Sequence, residues 1–121
     1  MNFKKKKIKM PEKEYDKYII KMSLSAKRDL AEISRYIAQN NPQTATKIVK
    51  RIWARIKTLD RFPYRGAYVP ELLARNIKHY RQITESPWKI IYRVDDETVN
   101  ILAIIDSRRN LQDILIKKLL K

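Results

Sequence analysis

The residues of this chain best suited to chemistry are its arginines. With one His, no Cys and one Gly among 121 residues, it cannot build a nitrogen–sulfur metal site or a glycine-rich phosphate loop. Its 13 acids are scattered, so a carboxylate metal cluster is not expected either. No metal and no cofactor are therefore assigned. A serine triad would need His79, yet no nucleophile elbow accompanies it, and His79 beside Tyr80 at a strand start reads as structural or exposed. What remains is Arg81, Arg93, Arg108 and Arg109, on or just after predicted strands. A guanidinium stays charged and grips phosphate through parallel N–H donors, so the chemistry on offer is recognition of an anion. Neighbouring strands bring distant sequence positions onto one surface, and the arginines are expected to gather there. Arg108-Arg109 also precede a helix start, where backbone donors add to the attraction. In a structural reading Asp106 pairs with one of them and closes the junction, and the two roles can coexist.

A second cationic set lies on a predicted helix. Ala45, Ile48, Val49, Ile52, Trp53, Ile56 and Leu59 make an apolar stripe, and Lys47, Lys50, Arg51, Arg55, Lys57 and Arg61 fall opposite it. No acid interrupts these cations before Asp60, whereas an ordinary solvated face intersperses signs. Lys47, Arg51 and Arg55 are thus candidate contacts to a polyanion, with a plain solvated face as the alternative.

The elements that must position these residues follow from periodicity. Residues 18–22, Tyr-Ile-Ile-Lys-Met, read as a strand. Ser25 is placed as the cap of a helix to about Gln39, carried by Ala26, Leu30, Ile33 and Ile37. Asn41 with Pro42 opens the second helix, to about Leu59. The hairpin of helices is expected to pack on a sheet through Leu30, Ile33, Ile52, Trp53 and Ile56. Pro63 and Gly66 punctuate a loop, and residues 68–78 show no firm period.

Period two then takes over. Strands are predicted at 80–84, at 88–94 with Ile90, Tyr92 and Val94 on one face, and at 98–105. Asp95-Asp96-Glu97 links the last two as an antiparallel hairpin. The almost continuous apolar character of residues 99–105 places that strand inside the sheet, covered on both faces. Asn110, with Asp113 three residues on, caps a final helix carried by Leu111, Ile114, Leu115 and Leu119. The order β-α-α-β-β-β-α, with helices and strands in separate runs, argues for a single α+β domain with the helical hairpin on an antiparallel-rich sheet.

Composition narrows the partner. A net charge of +15 favours polyanions and acidic proteins and opposes self-association. Residues 1–17 are read as a basic, flexible extension ahead of a domain at 18–121, since residues 1–18 hold seven Lys against three acids with little apolar pattern. No apolar stretch of roughly 7–15 residues follows the first lysines. The longest apolar run, residues 101–105, is far below the ~20 residues of a membrane span. A cytoplasmic protein with no membrane partner is expected.

The order of elements and several segments together resemble the RelE/ParE toxin superfamily of type II toxin-antitoxin and plasmid stabilization systems. The likeness covers about residues 18–121. It rests on Ala26-Lys27-Arg28-Asp29-Leu30 with Ile33 and Tyr36-Ile37, on Leu59-Asp60-Arg61-Phe62-Pro63 into Gly66, and on Val69-Pro70-Glu71-Leu72. Its most specific pieces are Tyr80-Arg81-Gln82-Ile83, Lys89-Ile90-Ile91-Tyr92-Arg93-Val94 and Ile104-Ile105-Asp106-Ser107-Arg108-Arg109.

This resemblance implies a small toxin restrained by an acidic cognate antitoxin, acting on DNA gyrase in the ParE-like branch or cutting mRNA in the ribosome in the RelE-like branch. In the RelE-like branch the RNA's 2′-OH attacks without a metal. Arg81 and Arg108 match the arginines that steady the phosphate, and Glu71 matches a glutamate able to take the proton. That scheme often ends in a C-terminal aromatic or His acting as acid, and residues 110–121 hold neither Tyr nor His. The ParE-like branch is therefore favoured. A RelE-like endoribonuclease stands as the alternative, and a basic nucleic-acid-binding module without toxicity as a third reading.

Overall fold

The computed structural model describes residues 17–120. The extension expected at residues 1–17 falls almost wholly outside them. The chain runs β1 (Ile19–Met22), α1 (Leu24–Ala38), α2 (Pro42–Lys57) with a 3-10 turn at Thr58–Asp60, β2 (Ala67–Tyr68), α3 (Pro70–Leu73), β3 (Arg81–Glu85), β4 (Trp88–Asp95), β5 (Thr98–Asp106) and α4 (Leu111–Leu119). This is the expected α+β order with β2 and α3 added.

Local chemistry explains most boundaries. The cap of α1 is Ser23, two residues earlier than expected, and its hydroxyl accepts the Ala26 N–H at 3.0 Å. Ser23 is displaced toward the strand because its own N–H is already bound by Ile101 of β5, so the chain leaves β1 and enters the helix with no linker. Asn41 and Asn110 cap α2 and α4 as expected, each accepting the N–H three residues on. At the β4–β5 turn Asp96 adopts φ 52°, a conformation that Asp tolerates better than most residues.

The sheet order is β1-β5-β4-β3-β2, parallel only between β1 and β5. β5 is interior, as its apolar run requires. Ile90, Tyr92, Val99, Ile101 and Ile104 pack with Ala26, Leu30, Ile52, Ile56 and Leu59 under the helical hairpin. Ile91, Ala103 and Ile105 pack with Val69, Leu72, Leu111 and Leu115 under α3 and α4. The facing residues of β5 change parity because the register slips between Ile91 and Tyr92, which pair with Ala103 and Ile101, so Leu102 has no opposite number. A bulge of this kind inserts one residue and re-aims the rest of the strand.

β1 stops at Met22, opposite Ile101, and leaves the following edge of β5 without a strand partner. Side chains fill the gap. Ser23 donates its hydroxyl to the Leu102 carbonyl, and Asp29 of α1 accepts the Ile104 N–H at 2.9 Å. The other Asp29 oxygen takes Lys118 of α4 at 3.0 Å, which ties the C-terminal helix to the hairpin.

Trp53 departs from expectation, for it is 45% exposed. Ile52 and Ile56 define the buried line of α2, while Val49 and Trp53, one turn apart on its flank, face a groove shared with Leu30 and Ala31 of α1. No described helix is long and apolar enough to cross a membrane.

Candidate functional site

The ladder puts the candidate arginines at two ends of the sheet. Arg81 opens β3 in the row Arg81–Tyr92–Ile101, whereas Asp106 closes β5 in the row Glu85–Trp88–Asp106. Four residue steps along β3, from Arg81 to Glu85, separate those rows, about 13 Å at ~3.3 Å per residue, and Arg108 lies beyond the far one. The expected gathering of Arg81 and Arg108 on one surface is therefore not found: pairing places strands side by side but leaves their two ends apart.

At the first end Arg81 is held on several sides. Its guanidinium stacks over Tyr68 and Tyr64, 4.6 and 5.3 Å from the ring centres, and donates to the carbonyl oxygens of Gly66 at 2.8 Å and Tyr64 at 3.3 Å. The loop that carries these tyrosines is fixed from below. Gly66 donates its N–H to the hydroxyl of buried Tyr92 at 3.0 Å, and burial pushes that phenol above its ordinary value. Arg93 bonds Asp95 at 2.8 Å and lies 5.9 Å from the Tyr80 ring. Arg81 and Arg93 do come together. With Tyr64, Tyr68, Lys78, His79, Val94 and Asp95 they line a cleft of about 460 Å³. Two arginines and Lys78 against one carboxylate, with two exposed phenol rings, suit an anion with a planar or apolar part.

Lys78 and the two tyrosines were not singled out from sequence. The signal was present in the alternation of Tyr64, Arg65 and Tyr68 before Lys78-His79, but nothing local says that the loop folds back over Arg81.

At the second end Arg108 is consumed by Asp106. Its Nε donates to Asp106 Oδ1 at 2.9 Å, and a second nitrogen meets Oδ2. The hydrogen bonds from the Arg108 side chain and backbone lower the Asp106 carboxyl to about 2. The closed-junction reading of Asp106 thus holds. Both Arg108 and Arg109 are nevertheless exposed. They border a cleft of about 670 Å³ over Ile33, Ile37, Pro87, Trp88 and Ile104, with Tyr36 beside it.

The basic face of α2 is interrupted by an acid from another element. Glu85 of β3 receives Arg51 at 3.0 Å and Arg55 at 2.9 Å, and the Arg55 hydrogen bond leads in lowering the Glu85 carboxyl below its usual range. Lys47 stays exposed. Sequence distance hides this pairing, since Glu85 lies 34 and 30 residues from its partners.

Glu71 sits in the short α3 and does not line the arginine clefts. Its Oε1 is sealed from solvent without a hydrogen-bond partner among the described residues, as is Oε1 of Gln82. The set Glu71, Arg81 and Arg108 is thus not assembled on one surface. Among the described residues no group of His, Cys, Asp and Glu is arranged to hold a metal.

Known proteins resemble this chain in sequence and in fold. The chain is 33% identical over 91 residues to Toxin ParE3 of Caulobacter vibrioides, covering 74% of this chain and 87% of that one. A solved chromosomal ParDE toxin-antitoxin system of P. aeruginosa superposes with a TM-score of 0.61 at 27% identity, over 74% of this chain and 95% of the matched one. The RelBE2 toxin-antitoxin complex of Mycobacterium tuberculosis shares the fold, with a TM-score of 0.53 at 23% identity over 75% and 92%. The family described as the ParE toxin of the type II toxin-antitoxin system parDE matches residues 20–111. From β1 into the start of α4, and so through both arginine-bearing ends of the sheet, the chain belongs to the ParE toxin family.

Proposed function

We propose that this toxin acts on DNA gyrase and is held inactive by an acidic antitoxin. The observation that carries the gyrase reading is the separation of Arg81 from Arg108 by the length of β3. A nuclease that drives RNA's 2′-OH onto its own phosphate needs a proton acceptor and cations around one phosphate, and here Arg108 is turned onto Asp106 while Glu71 lines neither cleft. The absence of Tyr and His from residues 110–121 points the same way.

The antitoxin half of the proposal is supported by the family, by the toxin-antitoxin complexes among the structural neighbours and by the net charge of +15, which steers an acidic partner into contact.

Two assays on purified protein test the target. Supercoiling by DNA gyrase should stop on addition of the toxin, and ribosome-programmed mRNA should stay intact. Cleavage of mRNA only when ribosomes are present would replace this reading with the endoribonuclease one. Inertness in both assays, with no growth defect on induction, would leave a basic binding module.

A further inference from the structure

Cations and flat rings share the cleft at the Arg81 end of the sheet. Lys78, Arg81 and Arg93 line it against the single carboxylate of Asp95, together with Tyr64 and Tyr68. That carboxylate already accepts from both Arg93 and Asn100. Among the described residues Arg81 spends only Nη1, on the carbonyl oxygens of Gly66 and Tyr64. Its Nε and Nη2 donors are left for an incoming anion, and a guanidinium grips phosphate through just such parallel donors.

Both phenol rings keep much of their surface in water, Tyr64 being 57% and Tyr68 40% exposed. Arg81 stacks against both, and Gly66 between them in the chain is tied to Tyr92 in the core. The rings are thus set in place before any ligand arrives, which spares the entropy of ordering them on binding. Aromatic faces beside a cationic track are the parts that hold an unpaired strand, one stacking its bases and the other following its backbone. At about 460 Å³ the cleft lies within the ~300–1,000 Å³ of sites that take one small ligand, the scale of one nucleotide unit.

We infer that this cleft holds one nucleotide unit of a single-stranded nucleic acid, with its phosphate on Lys78, Arg81 and Arg93 and its base against Tyr64 or Tyr68. The rings select the occupant. A duplex keeps its bases stacked inside and offers the cleft only phosphates. The carboxylates of an acidic peptide would take the cations and leave both rings idle, and a second copy of this chain is repelled at +15. The chemistry of the cleft stands without the gyrase reading, which only makes the strand DNA.

The probes are a fluorescein-labelled 12-nucleotide DNA strand, its duplex and the RNA strand of the same sequence, titrated with the full-length chain in the absence of gyrase. The single strand should bind more tightly than the duplex. Tyr68→Leu should weaken strand binding by about 10-fold, as loss of a stacking ring does, while Tyr68→Phe, which keeps the ring, should bind as wild type. Lys78→Gln should weaken it and lower the slope of log affinity on log salt by ~0.7, as loss of one phosphate contact does. Lys27→Gln on α1, an exposed lysine lining a different hollow, should leave affinity within twofold. A strand carrying 5-iodouracil should cross-link to Tyr64 or Tyr68 on irradiation, which tests the wild-type chain without a variant. RNA bound in preference to DNA would support the cleft and count against the gyrase reading. Equal binding of strand and duplex, equal losses from Lys27→Gln and Lys78→Gln, wild-type affinity in a folded Tyr68→Leu, or cross-links confined to other residues would each overturn the site.

Discussion

The Tyr92 hydroxyl accepts the backbone N–H of Gly66 at 3.0 Å, inside the core, and so fastens the loop that frames Arg81 to the centre of the sheet. A Cβ on residue 66 would stand 2.5 Å from the Gln82 carbonyl oxygen and 2.6 Å from that hydroxyl. Gly66→Ala should therefore cost about 1–3 kcal/mol through overpacking against backbone. Tyr92→Phe leaves a buried N–H without its acceptor and should cost about 1–3 kcal/mol. Denaturant unfolding checks both. Stabilities within ~0.5 kcal/mol of wild type would mean that the loop is not held this way.

Ile56 and Trp53 should respond in reverse order of size. Ile56 is fully buried and Trp53 is not, so Ile56→Ala should cost about 2–5 kcal/mol. Trp53→Ala should cost less than half as much. Equal losses in thermal or chemical unfolding would bury the indole after all.

Acid sensitivity should reveal the Asp106–Arg108 pair. Asp106 lies at about 2 in the folded chain against an ordinary 3.8, so its contribution is complete above about pH 4 and disappears as pH falls toward 2. The partner arginine is exposed, so screening keeps the effect small. Arg108→Ala should remove stability at pH 6 and make unfolding less pH-dependent between 4 and 2. Parallel stability–pH curves for variant and wild type would contradict the pairing.

Arg81→Ala and Arg108→Ala should each lower toxicity while acting at opposite ends of the sheet. Arg81 also braces Gly66, so its variant needs a melting control, and Arg81→Lys should not restore the ring stacking. Glu71→Gln separates the mechanisms: a nuclease should lose about 10²–10⁴-fold in cleavage, whereas gyrase inhibition should hardly change. If both arginine variants fold normally and stay fully toxic, the basic face of α2 becomes the next candidate.

Elements with strong local signals are legible in the amino-acid order alone. Asn41-Pro42 and Asn110 set helix starts through their own side chains, the stripe of Ile48, Ile52 and Ile56 set α2, and the apolar run of 99–105 set an interior strand, because these depend on residues within a turn or two of each other. Ser23 rather than Ser25 became the first cap because a strand partner 78 residues away holds its N–H. The short β2 and α3 went unread because two and four residues are too few to show a period.

Which charges meet depends on the packing of segments far apart in the chain. Glu85 takes Arg51 and Arg55, Tyr64 and Tyr68 take Arg81, and Asp29 serves both the edge of β5 and Lys118. Trp53 was read as core because a stripe fixes which side of a helix is apolar. How much of that side the sheet reaches, and how much lies open beside α1, depends on how the helices pack, and helical periodicity carries no record of it.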